Sequence, residues 1–248
     1  MYQPRTAPLA AEKRIPPGSA RDWHNPPMEP IADLYSVFPE KFGIPRQSGQ
    51  APDARAEVVL RPPFARPEAV RGLEDCSHIW LLFLCHQAEG WRPTVRPPRL
   101  GGNARVGVFA SRSPFRPNPI GLSVVRLDGV NQEDGVRLQV SGVDMVDGTP
   151  ILDIKPYLPW ADSVPEATGG IAASPPDRIP IRFSQAAERC LGSRDDGDTL
   201  RRLIEQVLSL DPRPAYHGDP DREYINSLSG LSVRWRVDAD GVEVVAVD

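Results

Sequence analysis

The stretch Ile79-Trp80-Leu81-Leu82-Phe83-Leu84-Cys85 is the longest uninterrupted apolar run in the chain, and a histidine flanks it on each side. Its length is typical of a buried β-strand and far below the ~20 apolar residues that a membrane-spanning helix needs. The run therefore predicts an interior strand over His78–Cys85. Because the first residues of the chain contain no apolar signal core, we expect a cytoplasmic protein without a membrane segment.

Further strand-like segments lie on both sides of this run, and turn residues such as Asp134-Gly135 and Asp147-Gly148 separate them. Only Pro67–Asp75 has a helical pattern in this part of the chain. The strand-like segments are Ile31–Phe38, Ala56–Leu60, Arg105–Ser111, Gly121–Val130, Gly135–Val143 and Thr149–Ile154. Short strands at close spacing with few helices predict a mostly β fold, a closed or nearly closed single β-barrel.

The C-terminal part of the chain has a different pattern. Ser184–Leu191 and Thr199–Leu210 have helical spacing, and Thr199 is placed to cap the second helix. Leu231–Val237 and Val242–Val247 predict a β-hairpin. This mixture predicts a small α+β unit that follows the barrel.

The chain of 248 residues is long enough for one or two folded domains, with 40% hydrophobic and 25% charged residues as in a soluble globular protein. Residues 1–30 are rich in Pro, Ala and Arg and predict a disordered extension. We expect the barrel over residues 31–165 and the α+β domain over residues 175–248. The boundary is expected in the Pro-, Gly- and Ser-rich stretch 163–178.

Residues 90–127, which we name the arginine segment, contain no Asp or Glu in a chain whose formal net charge is -4. Its seven arginines are Arg92, Arg96, Arg99, Arg105, Arg112, Arg116 and Arg126. The prolines and glycines between them predict stiff, shaped loops. The segment therefore indicates a preformed site for a phosphate or a carboxylate. The alternative is a solvated loop face whose charges are neutralised by acids from elsewhere in the fold.

Several familiar sites are not indicated. No glycine-rich turn opens a helix after a strand and no Walker lysine is present, so a Rossmann or P-loop nucleotide site is disfavoured. No serine stands in a nucleophile-elbow context. Cys76, Cys85 and Cys190 lack metal-ligand or disulfide spacing and are expected to be small buried hydrophobic residues. Few acids stand near His78 and His86, so no metal is expected.

Three further groups of polar residues stand at predicted strand ends. They are Pro45-Arg46-Gln47, His86-Gln87 and Asp144-Met145-Val146-Asp147. Each group alone fits ordinary loop capping. Together they bring amide, imidazole, carboxylate and guanidinium groups to the loops of one barrel, which favours a polar ligand.

Long blocks of this sequence closely resemble the TsaA-like family, also called YaeB or TrmO, of tRNA methyltransferases. The blocks are Trp91–Asn103, Arg112–Gly121, Val146–Pro159, Asp211–Tyr216 and Val233–Arg236. The resemblance implies a β-barrel methyltransferase of non-Rossmann type, usually dimeric, with S-adenosylmethionine as cofactor. It also implies methylation of N6 of threonylcarbamoyladenosine, next to the anticodon of a threonine tRNA.

Residue roles follow from the same resemblance. The implied cofactor contacts are Pro45, Arg46, Gln47, His86, Gln87, Arg112 and Leu122, with the segment Asp144, Met145, Val146 and Asp147. The residues expected to contact tRNA or its threonyl group are Arg92, Arg96, Arg99, Arg116, Arg213 and Tyr216. N6 of the substrate is bonded to a carbonyl and is a weak nucleophile, so a proton acceptor is needed. Asp147 is the first candidate and Asp211 the second.

Two other functions stay open at this point. The same arginines would serve a non-enzymatic RNA-binding module, which would bind tRNA without transferring a methyl group. A metal-free hydrolase or lyase could use His86 with an aspartate. A further expectation concerns Arg116: as an exposed side chain it should contribute little to folding stability, so Arg116→Ala should weaken ligand binding alone.

Overall fold

The computed structural model describes residues 28–97, 104–213 and 222–248. Residues 1–27 of the predicted extension therefore lie outside the described residues. The strands in chain order are β1 (Ala32–Ser36), β2 (Arg55–Leu60), β3 (His78–Leu84), β4 (Thr94–Val95), β5 (Val106–Gly107), β6 (Ile120–Asn131), β7 (Arg137–Ser141), β8 (Thr149–Pro156), β9 (Ile181–Phe183), β10 (Tyr224–Leu228), β11 (Leu231–Asp238) and β12 (Gly241–Val247).

Six of these strands close into an antiparallel barrel in the order β1-β2-β7-β6-β3-β8, which confirms the predicted fold class. The apolar run that predicted an interior strand is β3, which pairs with β6 on one side and β8 on the other. Ile79 and Leu81 are completely buried inside the barrel. Closure leaves no free sheet edge among these six strands.

One close approach between β3 and β6 requires a glycine. Phe83 lies opposite Gly121 in the strand register, and its ring covers the backbone there. A Cβ at position 121 would lie 2.1 Å from Cζ of Phe83, far inside van der Waals contact. Gly121 therefore leaves room for the tip of the aromatic ring against β6, at the end of the barrel where the predicted ligand-binding loops are found.

One local prediction in the barrel half is wrong, and a second, the helical segment that starts near Pro67, is confirmed only as 3-10 structure. Arg105–Ser111 is not a barrel strand, because only β5 is extended and a 3-10 turn follows at Val108–Ala110. Val108 is buried there while Phe109 is 73% exposed, and the side chain of Arg116 binds two carbonyls of this turn. Pro67–Asp75 forms two short 3-10 turns, interrupted by Gly72 with φ of +84°.

The C-terminal part combines a four-stranded sheet with two longer helices. The sheet has the order β10-β11-β12-β9, in which β9 is parallel to β12 and the other pairs are antiparallel. These two helices are α2 (Gln185–Gly192) and α3 (Gly197–Leu208). A short helix, α1 (Pro159–Asp162), precedes them directly after the last barrel strand. The predicted hairpin is confirmed as β11 and β12, whereas β9 and β10 were not predicted.

The cap predicted for α3 is wrong. The helix begins at Gly197, before Thr199, and the hydroxyl of Thr199 accepts a hydrogen bond from Arg202. A Cβ at Gly197 would lie 2.0 Å from the carbonyl oxygen of Leu191, so close packing against α2 fixes this start. The cap of α2 is a side-chain cap, in which Ser184 Oγ accepts from the amide of Ala187 at 3.1 Å.

A single hydrophobic core runs through the barrel and the C-terminal sheet. Trp235 is its largest fully buried side chain and stacks on Tyr224, with ring centroids 4.8 Å apart. Because this core is continuous, the two halves of the chain are packed together.

Within the three described ranges, no helix is long and apolar enough to cross a membrane.

Candidate functional site

The loops that carry the candidate residues share one end of the barrel. Strands alternate in direction around an antiparallel barrel, so the chain leaves β1, β3 and β7 at the same rim. The loop after β1 carries Pro45-Arg46-Gln47, the one after β3 carries His86-Gln87 and the arginine segment as far as Arg116, and the one after β7 carries Asp144–Asp147, whereas Arg126 lies on β6 opposite His78 at the other end of the barrel. We name the end that carries these three loops the site rim.

A direct contact joins two of these loops. Nη1 of Arg112 donates a hydrogen bond to Oε1 of Gln47, and Nε2 of Gln47 donates to the carbonyl oxygen of Arg46. Pro45 beside them is buried, while Arg46 and Arg112 are exposed. The amide of Gln47 therefore holds the guanidinium of Arg112 at the rim without neutralising its charge.

Asp144 is the acid set deepest in the rim. Its Oδ1 accepts a hydrogen bond from the hydroxyl of Ser123 at 2.7 Å, and Ser123 is only 4% exposed on β6. Burial raises the pKa of the Asp144 carboxyl, while the Ser123 hydrogen bond and the charge of Arg112 act in the opposite direction. The carboxyl is thus a shielded acceptor within the electrostatic reach of the arginine segment.

Cys85 lies close enough to Asp144 to feel its charge. Burial raises the pKa of the Cys85 thiol, and the carboxylate of Asp144 raises it further. The thiol therefore remains protonated and is a poor nucleophile. All three cysteines are half-buried rather than fully buried as expected.

Three further residues of the predicted cofactor site, His86, Gln87 and Leu122, have exposed side chains. His86 and Gln87 are exposed, and the carbonyl oxygen of Gln87 accepts from Nζ of Lys41 at 2.8 Å. Leu122 is 51% exposed and offers an apolar surface next to Gly121. His86 and Gln87 follow β3 and Leu122 lies near the start of β6, so all three belong to the rim end of the barrel.

The segment from Asp144 to Asp147 is fixed to the end of β1. Oδ1 of Asp147 accepts from the amide of Ser36 at 2.9 Å, and the carbonyl oxygen of Met145 accepts from Ser36 Oγ at 2.8 Å. Met145 is buried, whereas Asp147 is exposed. The carbonyl oxygen of Val146 accepts from the hydroxyl of Thr149 at 2.6 Å. One carboxylate oxygen of Asp147 is therefore engaged by backbone and the side chain still faces solvent.

Arg116 is engaged in its own loop, contrary to the expectation of a freely exposed side chain. Its Nη1 donates to the carbonyl oxygens of Val108 at 3.1 Å and Ser111 at 2.7 Å. Its guanidinium also lies over the ring of Phe109, 5.5 Å from the centroid. The side chain is half-buried. Arg116 thus shapes the rim, and the premise that it is structurally dispensable is wrong.

The other described arginines of the segment also contact neutral groups. Arg92 lies over the ring of Phe115 at 5.7 Å, and Nη1 of Arg105 donates to Thr94 Oγ1 at 3.3 Å. Among the described arginines of the segment, only Arg126 is ion-paired, with Nε 3.0 Å from Oδ1 of Asp128. No described carboxylate forms an ion pair with Arg92, Arg96, Arg105, Arg112 or Arg116.

Nine arginines elsewhere in the described chain are ion-paired with a carboxylate, whereas others such as Arg46 and Arg178 are not. Those paired with a carboxylate are Arg61, Arg137, Arg182, Arg194, Arg201, Arg202, Arg213, Arg234 and Arg236. The neutralisation that the alternative interpretation required is therefore not found for five arginines of the arginine segment. Their charge remains available to an anionic ligand.

The C-terminal candidates are only partly described. Arg213 forms a bidentate ion pair with Asp211, with N–O distances of 2.7 and 2.9 Å. Asp211 has φ of +47°, and its amide donates to the carbonyl oxygen of Leu208. Arg99 and Tyr216 lie outside the described residues. The structure does not bring Asp211 into contact with the groups at the site rim that are described above.

Three residues at the rim escaped the sequence reasoning. Ser123 orients Asp144, Lys41 binds the loop after β3, and Phe109 presents an aromatic ring beside Arg116. Only Ser123 left a signal, as a hydroxyl at an inward position of an apolar strand. No cluster of potential metal ligands is found in the described ranges.

The groups at the rim fit S-adenosylmethionine as a donor. A ligand with a carboxylate, an ammonium group and a flat base needs a cation, acceptors and an apolar surface. Arg112, Asp144 and Leu122 supply these three properties at one end of the barrel, with Leu122 on the outer face of β6 and Asp144 bonded to the inward Ser123, and Gln47 adds an amide. The set of groups is therefore chemically adequate, and the half-buried Asp144 gives it one partly shielded acceptor.

Comparison with known proteins agrees with this fold. The tRNA-methyltransferase O N-terminal domain matches residues 33–163, and the TrmO C-terminal domain matches residues 176–248. The chain is 47% identical over 227 residues to the tRNA (adenine(37)-N6)-methyltransferase of Escherichia coli, covering 89% of this chain and 97% of that protein. It is 51% identical over 215 residues to a putative S-adenosylmethionine-dependent methyltransferase, RcsF, of Pseudomonas aeruginosa, covering 84% and 91%.

A crystal structure of TrmO from P. aeruginosa superposes with a TM-score of 0.74 at 45% identity, covering 89% of this chain and 95% of that one. Both family models and the long relatives span nearly the whole folded part. The chain is thus a β-barrel methyltransferase in fold and belongs to the tRNA-methyltransferase O family. The resemblance inferred from the sequence blocks is confirmed.

Proposed function

We propose that this protein uses S-adenosylmethionine to methylate N6 of threonylcarbamoyladenosine next to the anticodon of a threonine tRNA. The observation that carries the proposal, beside family membership, is a set of arginines without ion-paired partners among the described residues, at the same rim as Gln47 and Asp144: Arg92, Arg96, Arg105, Arg112 and Arg116. An anionic nucleotide is attracted to such a surface, and the adjacent polar cluster suits the methyl donor.

The donor-binding residues are the loop residues at the rim. Arg112 suits the carboxylate of the donor, Asp144 its ammonium or hydroxyl groups, and Leu122 the base. Pro45, Arg46, Gln47, His86, Gln87, Met145, Val146 and Asp147 complete the proposed contacts. When bound, the sulfonium supplies an activated methyl group. The protein has to align the acceptor nitrogen and exclude water, since most of the rate gain comes from positioning.

Asp147 is the proposed proton acceptor for N6. It is exposed at the rim, and Ser36 engages only one of its oxygens. Asp211 is the weaker candidate, because both its oxygens are engaged by Arg213. Asp147→Asn keeps an oxygen for Ser36 but cannot take a proton, so kcat should fall by about 10²-fold with little change in stability. Asp211→Asn is the matched comparison. A larger loss of kcat in Asp211→Asn would exchange the two roles.

The substrate surface combines aromatic rings with guanidinium groups. Trp91 is 55% exposed, Phe109 73% and Phe115 38%, and Arg92 and Arg116 lie over the latter two rings. Unstacked bases of an anticodon loop stack on such rings and planes. With Arg96, Arg99, Arg213 and Tyr216, these residues form the proposed tRNA contacts.

The decisive experiment is incubation of threonine tRNA that carries threonylcarbamoyladenosine without the N6-methyl group with the protein and S-adenosylmethionine, followed by mass spectrometry of the anticodon loop. A mass increase of one methyl group on threonylcarbamoyladenosine is expected. Salt-sensitive tRNA binding without methyl transfer would favour the RNA-binding module instead. Arg92→Ala should then still reduce the salt dependence of tRNA affinity by about one phosphate contact.

The remaining proposals concern assembly and location. The barrel is proposed to hold the donor and residues 175–248 to contact tRNA, in the cytoplasm, where the tRNA substrate occurs. A homodimer is proposed from the family resemblance. Leu158, Trp160 and Val164 are exposed apolar side chains, at 41%, 84% and 55%, that association could bury. Light scattering at several protein concentrations tests the dimer.

A further inference from the structure

The loop between β1 and β2, residues 37–54, carries the proposed donor contacts Pro45, Arg46 and Gln47. We name it the donor loop. Although it belongs to the barrel half of the chain, both of its ends are bonded to residues more than a hundred positions away in the C-terminal half. The donor loop therefore takes its position from the C-terminal half as well as from the barrel.

At its first end the donor loop is bonded to β10 and the turn after it. The carbonyl oxygen of Val37 accepts from the amide of Ser229 at 3.0 Å. The carbonyl oxygen of Phe42 accepts from Nδ2 of Asn226 at 2.9 Å. The ring of Phe42 stacks on Trp235, with centroids 6.4 Å apart. This end lies only three residues before Pro45.

Asn226 is the central residue of this contact. It is completely buried, and Nε1 of Trp235 donates to its Oδ1 at 2.7 Å. Because an indole nitrogen can only donate, Oδ1 must face Trp235 and Nδ2 must face the carbonyl of Phe42. A Cβ at Gly43 would lie 1.8 Å from Nδ2 of Asn226. The amide therefore fits the donor loop only because residue 43 is a glycine.

At its second end the donor loop is bonded to α3. The amide of Asp53 donates to Oε1 of Gln206 at 2.9 Å, and Nε2 of Gln206 donates back to Oδ2 of Asp53 at 2.9 Å. Nε of Arg202 lies 3.1 Å from the same carboxylate oxygen. Nη2 of Arg178 donates to the carbonyl oxygen of Gln50 at 2.5 Å.

We propose that the C-terminal half pre-organises the donor loop for S-adenosylmethionine, with Asn226 as a positioning residue for methyl transfer. This inference rests on the proposed function. Asn226 acts through Phe42 and Gly43 on Pro45, Arg46 and Gln47. Gln206 performs the same task at the other end of the loop.

The effect follows from population arithmetic. If the donor loop adopts its binding-competent form in only a fraction of molecules, the apparent Kd for the donor rises by the inverse of that fraction. Removing a buried hydrogen bond that holds the loop shifts such an equilibrium by about tenfold. The donor can still bind the competent form at high concentration. Asn226→Ala should therefore raise the KM for S-adenosylmethionine and leave kcat at saturating donor nearly unchanged.

The test compares Asn226→Ala and Gln206→Ala with Val242→Ala. Val242 is also completely buried, but it lies on β12, two strands away from β10, so it controls for general loss of stability in the sheet. Donor affinity is measured by calorimetry, kcat and KM by methyl transfer, Tm by thermal unfolding, and amide exchange is followed over residues 42–50. We expect about tenfold weaker donor binding and faster exchange for Asn226→Ala. A severalfold effect is expected for Gln206→Ala, and unchanged affinity for Val242→Ala.

Each outcome bears on the inference. Unchanged donor affinity in both Asn226→Ala and Gln206→Ala, or an equal rise of Kd in Val242→Ala, would overturn it and leave the proposed function intact. If Asn226→Ala does not fold, Gln206→Ala decides alone, because it is a helix-surface change that retains helix propensity. Absence of donor binding by the unmodified chain would overturn the proposed function, and this inference with it.

Discussion

Arg116→Ala should release the loop that ends at Arg116 without unfolding the barrel. The substitution removes two hydrogen bonds from a charged donor, to the carbonyls of Val108 and Ser111, and the contact with the ring of Phe109. Fully buried, the two bonds would contribute about 1.5 kcal/mol each and the ring contact about 0.5 kcal/mol. Because the side chain is half-exposed, water replaces part of this, and about 1.5–2 kcal/mol remains.

Most of this loss should be local. Val108 is buried in the loop itself and is not part of the main hydrophobic core. The loop can therefore open while the barrel stays folded, so amide exchange is more informative than Tm. A loss of about 1.5–2 kcal/mol corresponds to roughly 10- to 30-fold faster exchange. The reporting amides are those of Val108 and Ser111, which donate to the carbonyls of Pro93 and Val108.

The matched control is Arg92→Ala. Arg92 is exposed, and its guanidinium contacts only the ring of Phe115 among the described residues, so exchange should change by less than about twofold. Hydrogen exchange followed by mass spectrometry over residues 104–119 measures both variants. Unchanged exchange in Arg116→Ala, or an equal acceleration in Arg92→Ala, would refute the assignment of a shaping role to Arg116.

Two further predictions follow from the barrel itself. Gly121→Ala should lower the free energy of unfolding, measured in urea, by about 1–3 kcal/mol, because the added Cβ meets the Phe83 ring at 2.1 Å. In the control Gly129→Ala the added Cβ meets only the flexible end of Gln139, so the free energy of unfolding should fall much less. Burial raises the pKa of the Asp144 carboxyl, so the folded chain binds the carboxyl proton more tightly than the unfolded chain does. The free energy of unfolding therefore falls as pH rises from the ordinary carboxyl pKa through the raised pKa of the folded chain. Asp144→Asn should therefore melt higher than the unmodified chain at about pH 8 and lose this advantage towards about pH 4; a pH-independent difference in Tm would contradict the linkage.

Local pattern was sufficient to predict the barrel, because strand alternation and turn residues report on burial and chain reversal directly. It failed where a distant group decides the local structure. The strand predicted over Arg105–Ser111 ends early because Arg116 binds carbonyls of the turn at Val108–Ala110. The start of α3 is fixed by the packing of Gly197 against Leu191, which no capping rule contains.

The same limit applies to the site. The residue types at the rim could be read from the sequence, because strand-end loops of one barrel converge on each other. The contacts between these residues could not be read from the sequence, because the partners are far apart in the chain. Arg112 and Gln47 are 65 positions apart, and Asn226 and Phe42 are 184 positions apart. β10 was missed because a polar residue, Asn226, occupies one of its buried positions. The folded structure explains this buried polar residue, because Asn226 accepts a hydrogen bond from Trp235 and donates one to the donor loop.

The arrangement of charge at the rim answers a conflict that the proposed reaction poses. The tRNA is anionic and needs a positive surface, whereas the donor carries a positive sulfonium that an entirely positive surface would repel. The loop after β7 resolves this, because Asp144 and Asp147 place carboxyl groups beside the arginines, next to β6 in the barrel order. Arg112 is bonded to the neutral Gln47 and lies within electrostatic reach of Asp144. A rim that holds both carboxyl groups and arginines without ion-paired partners can therefore attract both ligands, and the neutral partners of the arginines keep their positive charge from being cancelled.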